Sequence, residues 1–291
     1  MKPLEFHSPT SVEEAVSLLA GQGDNAGALS GGTDLIIQYR AGQKKIGHMI
    51  DIKNIPELNV LSYDDRAGLR LGAAVSCTLL ADYEPAVKRY TGLVEGAELI
   101  GSMQIQNRAT IGGNVCNGSP AADTICPLIV LDARCVIAGS NGRREVHARD
   151  FMTAPGQTVL QTGELLVEFC LPPREPRSAD AYLRFIPRNE MDIAVADVAT
   201  ALTLDGDGRT VKAASIAIGA VAPIPLLVES ASQALVGSKL EPSAVEQAAK
   251  ACQAAASPIS DIRGPAEYRT HLVGVLTRRT IEIASRRIQE N

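Results

Sequence analysis

The chain has 291 residues, of which 45% are hydrophobic, 21% charged and only 3% aromatic, and its net charge is −5. This length fits two domains or one large domain with sub-lobes, and the composition excludes a disordered, collagen-like or low-complexity protein. Acidic and basic residues are interspersed and tryptophan is absent, so we expect neither the basic surface nor the stacking platform of a nucleic-acid-binding protein.

The sequence contains no clear targeting segment and no clear metal-binding motif. No apolar stretch approaches the roughly 18 residues of a membrane span, and residues 1–7 do not resemble a secretory signal, so we expect a cytoplasmic protein. We expect six reduced thiols, buried as small hydrophobic side chains, because no CxxC pair occurs among Cys77, Cys116, Cys126, Cys135, Cys170 and Cys252. No metal site is predicted, because the histidines are scattered at His7, His48, His147 and His271.

Residues 1–56 have the pattern of a small α/β lobe. Ser11 is a predicted N-cap, and the elements that follow are a helix over 12–20, a strand at 26–29, a helix over 35–40 and a strand at 48–52. The glycine-rich run 21–27 almost matches the dinucleotide fingerprint of a Rossmann fold. It follows a helix and precedes a strand, the reverse of what that fingerprint requires, so we interpret it as a connecting loop.

The rest of the chain divides at a proline-rich linker, residues 172–176. Before the linker, the patterns predict strands at 58–62, 69–73, 133–138, 143–148 and 164–171, with helices near 78–83, 92–101 and 125–131. After it, they predict strands at 181–186, 194–204 and 210–218 and helices over 242–256 and 265–289. The segment after the linker is therefore predicted to form an antiparallel sheet backed by helices.

Two double-glycine segments, 30–34 and 110–114, carry the main functional signal. Glycine lets the backbone approach a phosphate closely and turn successive N–H groups toward it. Each segment could also be a plain tight turn, but together they favour a dinucleotide held from both sides. Their surroundings offer neutral donors in Thr33, Thr110, Asn114 and Ser119, and an acceptor for ribose or adenine in Asp123. The sequence shows no nucleophile elbow, Walker A motif or HExxH motif.

The segments Ser30-Gly31-Gly32-Thr33-Asp34-Leu35, Ile105 to Val115 and Ser119-Pro120-Ala121-Ala122-Asp123 also carry a family resemblance. In this order they resemble the FAD-binding medium subunit of the molybdenum hydroxylases, the family of xanthine dehydrogenase and carbon monoxide dehydrogenase. The resemblance covers nearly the whole chain. It implies an α+β fold, with a PCMH-type FAD-binding fold of two α/β lobes (1–56 and 57–177) and a C-terminal domain (178–291) like that of the CO dehydrogenase flavoprotein, an antiparallel sheet with helices.

The resemblance also implies how FAD is bound. Backbone amides of the two glycine segments would surround the diphosphate, Ile100 and Gly101 would lie near the isoalloxazine ring, and Leu166 would pack at the flavin or adenine end. Arg184 stands where relatives often have lysine. The predicted FAD-binding residues are Ala28, Leu29, Ser30, Gly31, Gly32, Thr33, Asp34, Leu35, Ile100, Gly101, Thr110, Ile111, Gly112, Gly113, Asn114, Ser119, Asp123, Leu166 and Arg184. No acid–base catalytic residue and no metal ligand is assigned to this chain.

By the same resemblance, the chain is the electron-transfer subunit of an oxidoreductase complex. A large molybdopterin-binding subunit would hydroxylate the substrate, and a small subunit with two [2Fe–2S] clusters would relay electrons to FAD. FAD would pass them to NAD⁺, a quinone or O₂, within a dimer of heterotrimers. Two alternatives stay open: a self-contained FAD oxidoreductase of the same fold, and a flavin-free assembly subunit.

Overall fold

The computed structural model describes residues 4–290, and its first lobe is built on a parallel sheet. The sheet has the order β1–β3–β2 and comprises β1 (Glu5–His7), β2 (Ala26–Leu29) and β3 (His48–Asp51), connected through helices α1 (Val12–Gln22) and α2 (Leu35–Arg40). Ser11 caps α1 as predicted, because its side chain accepts a hydrogen bond from the N–H of Glu14. One face of α1 is buried on the sheet through Val12, Ala15, Val16 and Leu19.

The second lobe is a five-stranded antiparallel sheet of order β4–β5–β10–β6–β7. Its strands are β4 (Leu61–Asp64), β5 (Gly68–Gly72), β6 (Arg134–Gly139), β7 (Gly142–His147) and β10 (Leu165–Leu171), and a separate hairpin joins β8 (Met152–Ala154) to β9 (Gln157–Thr158). Six helices lie between β5 and β6: α3 (Cys77–Ala81), α4 (Glu84–Arg89), α5 (Thr91–Glu98), α6 (Met103–Gln106), α7 (Ile111–Cys116) and α8 (Ile125–Val130).

The third sheet is antiparallel, of order β11–β12–β13–β14, and is backed by helices as predicted. Its elements are β11 (Ser178–Phe185), β12 (Ala196–Leu204), β13 (Val211–Gly219), β14 (Leu226–Leu227), α9 (Glu229–Leu235), α10 (Pro242–Ala255) and α11 (Ala266–Glu290). The α+β fold class is confirmed. The domain boundaries after residues 56 and 177 stay a prediction. Hydrophobic clusters extend across both boundaries: Ala138 packs with α1, and Tyr182 packs with the core of the second lobe.

Several elements differ from the sequence prediction. The strand expected at 58–62 begins at residue 61, because Pro56 opens a short 3-10 turn that buries Leu58 completely. The second glycine segment continues as helix α7 and is not an open loop. The expectation that every cysteine is buried is wrong for Cys116, which is exposed, and for Cys170, which is half-buried.

Within residues 4–290, every helix is too short or too polar to cross a bilayer.

Candidate cofactor-binding groove

A groove of about 700 Å³ runs between the first and second lobes. This volume lies within the range of pockets that hold cofactors and other small molecules. The predicted residues that line the groove are Ala28, Ser30, Gly31, Gly32, Thr33, Asp34, Leu35, Ile100, Thr110, Gly113 and Asn114. The two glycine segments, 80 residues apart in the chain, therefore border the same groove.

The two segments touch each other directly. The hydroxyls of Ser30 and Thr110 share a hydrogen bond of 2.8 Å. Gly31 lies so close to the neighbouring backbone that a Cβ there would stand 2.0 Å from the carbonyl oxygen of Arg108. Only glycine allows this contact, so Gly31 fixes how closely the first lobe approaches the second.

The first segment presents backbone donors. Gly32 has φ +78°, a conformation that favours glycine and that turns the chain into α2. Among residues 4–290, the N–H groups of Gly31, Gly32, Thr33 and Asp34 have no hydrogen-bond acceptor. Consecutive unpaired amides beside a pocket form a binding site for phosphate oxygens.

The two glycines of the second segment have different surroundings. A Cβ at Gly112 would lie 2.5 Å from the carbonyl oxygen of Ala73, so this glycine packs against the second sheet. A Cβ at Gly113 would meet only the Thr110 hydroxyl, at 3.0 Å, and Gly113 lines the groove. The Thr110 hydroxyl also accepts the Gly113 N–H and thereby caps α7. Gly112 is therefore needed for packing, whereas Gly113 keeps the groove open.

Polar side chains complete the wall. Oδ1 of Asn114 accepts hydrogen bonds from the hydroxyl and the N–H of Thr124, at 2.7 and 3.3 Å. This orientation leaves the Asn114 amide nitrogen as a donor at the groove. The Gln38 amide donates to Oδ1 of Asn117 at 3.2 Å, which links α2 of the first lobe to the second lobe.

The groove carries little charge. Among the described residues, Lys44 is the only lysine or arginine in its lining, which also contains the carboxylates of Asp24 and Asp34. Burial raises the pKa of Asp34. The groups that the lining offers to an anion are therefore mainly backbone amides.

A buried polar cluster of Asp123, Tyr182, Arg184 and Asp197 lies between the second lobe and the third sheet. Nη1 of Arg184 donates to Oδ1 of Asp123 at 2.7 Å, and the Tyr182 hydroxyl donates to the same oxygen at 3.3 Å. Burial raises the pKa of Asp123 to about 6, although Arg184 opposes this shift. Burial, reinforced by the negative charge of Asp123, raises the pKa of Asp197 to about 8. Among the described residues, neither carboxyl oxygen of Asp197 has a hydrogen-bond partner.

Comparison with known proteins identifies the family. Residues 2–174 match the model of the FAD-binding domain in molybdopterin dehydrogenase, and residues 180–284 match the CO dehydrogenase flavoprotein C-terminal domain. The chain belongs to the FAD-binding medium subunits of the molybdenum hydroxylase family. It is therefore a subunit of an oxidoreductase, and the FAD assignment is confirmed.

Individual relatives span nearly the whole chain. The xanthine dehydrogenase FAD-binding subunit of Escherichia coli O157:H7 is 31% identical over 280 residues, 96% of this chain and 95% of the relative. The carbon monoxide dehydrogenase medium chain of Hydrogenophaga pseudoflava is 34% identical over 280 residues, 96% of each chain. The structure of reconstituted CO dehydrogenase from Oligotropha carboxidovorans matches with a TM-score of 0.93 and 33% identity, covering 99% of this chain and 100% of that chain.

Not every predicted FAD-binding residue lines the groove of this medium subunit. Leu29 and Ile111 are buried in the hydrophobic clusters, and Leu166, 2% exposed, packs in the core of the second lobe. Gly101, with φ +59°, directly follows the lining residue Ile100. The other residues outside the lining are Gly112, Ser119, Asp123 and Arg184.

The groove also contains residues that the sequence analysis did not assign. Gly23 and Asp24, within the run interpreted as a connecting loop, line the groove, as does Gly27, which lies in β2. Gly156 and Gly163, from the turns on either side of β9, also line the groove. Both of these glycines have positive φ, at 74° and 87°. A glycine at each position was the only sequence feature that could have pointed to the groove. Neither has a second glycine beside it, so neither was recognised as a double-glycine segment.

Proposed function

We propose that this chain accepts electrons from the [2Fe–2S] clusters of a partner subunit and passes them through FAD to NAD⁺, a quinone or O₂. The observation that carries the proposal is the junction of the two glycine segments at a single groove, where the amides of residues 31–34 have no acceptor within residues 4–290. FAD supplies the redox chemistry, and the protein binds and orients it.

The residues of the groove fit the diphosphate of FAD. The N–H groups of residues 31–34 would bind its oxygens, and the Asn114 amide nitrogen would donate from the opposite lobe. The open space beside Gly113 would admit the phosphates without a clash. Such neutral donors bind an anion while adding little net charge to the site.

The groove offers few titratable groups to a self-contained oxidoreductase. In the lining of the described chain, no histidine is present, and the acids and bases are Asp24, Asp34 and Lys44 together with the thiol of Cys116. An enzyme that oxidised its own substrate would need a positioned acid or base beside the flavin. The medium-chain names of the relatives support an assembly with a large molybdopterin-binding and a small [2Fe–2S] subunit. We place this assembly, a dimer of heterotrimers, in the cytoplasm.

The test compares the assembled complex with the isolated FAD-loaded chain. Candidate substrates come from the relatives and include xanthine, carbon monoxide and nicotinate. In the wild-type complex we expect substrate to bleach the clusters and the flavin and to reduce the acceptor. In a Gly113→Val complex, which should lack FAD, substrate should still bleach the clusters, but the natural acceptor should stay oxidised.

Two outcomes would contradict the proposal. Turnover of substrate by the isolated FAD-loaded chain would support a self-contained oxidoreductase. A wild-type complex that contains no flavin and still reduces the natural acceptor would support an assembly subunit.

A further inference from the structure

Three potential metal ligands meet between strand β1 and the first residue of strand β3. Glu5 lies opposite His48 in the parallel register, and His7 follows two residues after Glu5 on the same face of β1. Nε2 of His7 is 3.0 Å from Nδ1 of His48, and Oε2 of Glu5 is 3.5 Å from Nδ1 of His48 and 4.0 Å from Nε2 of His7. The parallel pairing of two short strands thus brings together residues that are 41 positions apart.

These three distances match a metal coordination shell. A point equidistant from the three atoms lies about 2 Å from each of them, which is the usual length of a bond from zinc to an imidazole nitrogen or a carboxylate oxygen. Two imidazoles and one carboxylate form a ligand set suited to zinc and similar borderline metals, whereas calcium and magnesium prefer oxygen ligands. The two ring nitrogens already face each other, so binding of a metal would replace their hydrogen bond after modest rotation of the rings.

The cluster is accessible to an ion from solution. The side chains of His7, His48 and Glu5 are 26%, 15% and 69% exposed. None of the three lines the cofactor groove, which borders the opposite edge strand, β2. Occupation of this cluster and occupation of the groove can therefore be measured separately.

We propose that Glu5, His7 and His48 bind one Zn²⁺ ion, with a fourth position open to water. The ion ties β1, an edge strand of three residues, to β3 in the middle of the sheet. Edge pairing of this length is weak by itself, so the ion stabilises the amino-terminal edge of the FAD-binding lobe. The scattered histidine positions gave no sign of this site, because strand pairing and not sequence spacing creates it.

The test uses the full FAD-loaded chain without a polyhistidine tag. After removal of metals with a chelator, titration calorimetry should show one Zn²⁺ per wild-type chain, and the thermal unfolding midpoint should rise with Zn²⁺. His7→Ala and His48→Ala should each raise the Kd for Zn²⁺ more than about tenfold, and Glu5→Gln should also weaken binding. Flavin absorbance, unchanged in all variants, shows that each is folded.

His147→Ala is the matched control. His147 also lies beside a carboxylate, with its Nδ1 2.9 Å from Oδ1 of Asp132, but it has no second histidine near it. Zn²⁺ binding should be unaffected in this variant. Equal Zn²⁺ affinity in the wild type and in the His7→Ala/His48→Ala double variant would overturn the proposal, as would an equal thermal shift produced by Mg²⁺.

Discussion

The groove wall and the buried polar cluster hold two sets of predicted site residues in opposite environments. At the wall, the backbone amides of the lining residues 31–34 have no hydrogen-bond acceptor within residues 4–290. In the cluster, Asp123 and Arg184 are almost fully buried and bond to each other. The comparison teaches that the glycine segments mark where the backbone lines the groove, whereas polar side chains drawn together by folding, such as Asp123 and Arg184, can bond to one another instead.

One contact connects the two regions. Asn114 lines the groove, and its Oδ1 is held by Thr124, which directly follows Asp123 in the chain. A change in the buried polar cluster can therefore shift Asn114 at the groove through Thr124. Variants in each region test whether the wall alone binds FAD or whether the cluster contributes by orienting Asn114.

The largest effect is expected at Gly31. Gly31→Ala places a methyl group 2.0 Å from the carbonyl oxygen of Arg108, and neither backbone can move without separating the lobes. We expect destabilisation of more than about 4 kcal/mol together with loss of FAD, measured by urea unfolding and flavin absorbance. The matched control is Gly21→Ala, since a Cβ at that position meets nothing within 4 Å. Normal stability and full FAD content in the Gly31→Ala variant would disprove the role of Gly31 at the lobe junction.

The buried ion pair should have the next largest effect. Arg184→Met leaves Asp123 without its main partner at a nearly fully buried position, and this should cost about 3–5 kcal/mol in the free energy of unfolding. Arg134→Met removes an exposed ion pair with Glu145 and should cost less than about 1 kcal/mol.

The result for Arg184→Met distinguishes a role of this residue in packing from a role in FAD binding. Loss of stability with retained FAD affinity would assign the pair to packing between the second lobe and the third sheet. Unchanged stability with loss of FAD would instead place Arg184 in the cofactor site, as the family resemblance implies.

The sequence predicted the features that depend on local patterns and missed those that depend on tertiary packing. Helix α2 was predicted with its observed ends, and the hairpin of β6 and β7 within one residue at each end, because local glycine and hydrophobic patterns determine them. The contact between Gly31 and Arg108 was not predictable, since only tertiary packing creates it. The pairing of Asp123 with Arg184 was missed for the same reason, because the two residues are 61 positions apart.

Asp197 should make stability depend on pH. Its pKa in the folded protein, raised to about 8 by burial, exceeds the ordinary value of 3.8, so the folded state binds the proton more tightly than the unfolded state. Stability from this group is therefore complete below about pH 4 and is lost as the pH rises toward 8. Relative to Asp197→Asn, the wild type should lose about 3 kcal/mol between about pH 5.5 and 8.

Urea unfolding at both pH values measures this difference. The control is Asp205→Asn, in the exposed turn between β12 and β13, which should follow the wild type at each pH. If the stability of Asp197→Asn changed with pH as much as that of the wild type, Asp197 would not be the source of the dependence.

The smallest effect is expected at Lys44, which tests whether the groove binds FAD through backbone amides or through charge. Lys44 is exposed and is the only cation lining the groove within residues 4–290, so Lys44→Gln should raise the Kd for FAD by less than about tenfold at low salt. The difference from wild type should vanish near about 1 M salt, because exposed charges are then screened within about 3 Å. Lys45→Gln, beside it but outside the lining, is the control and should bind FAD as the wild type does. A hundredfold loss in Lys44→Gln that persists at high salt would mean that the ammonium group, and not the row of amides at residues 31–34, holds the diphosphate.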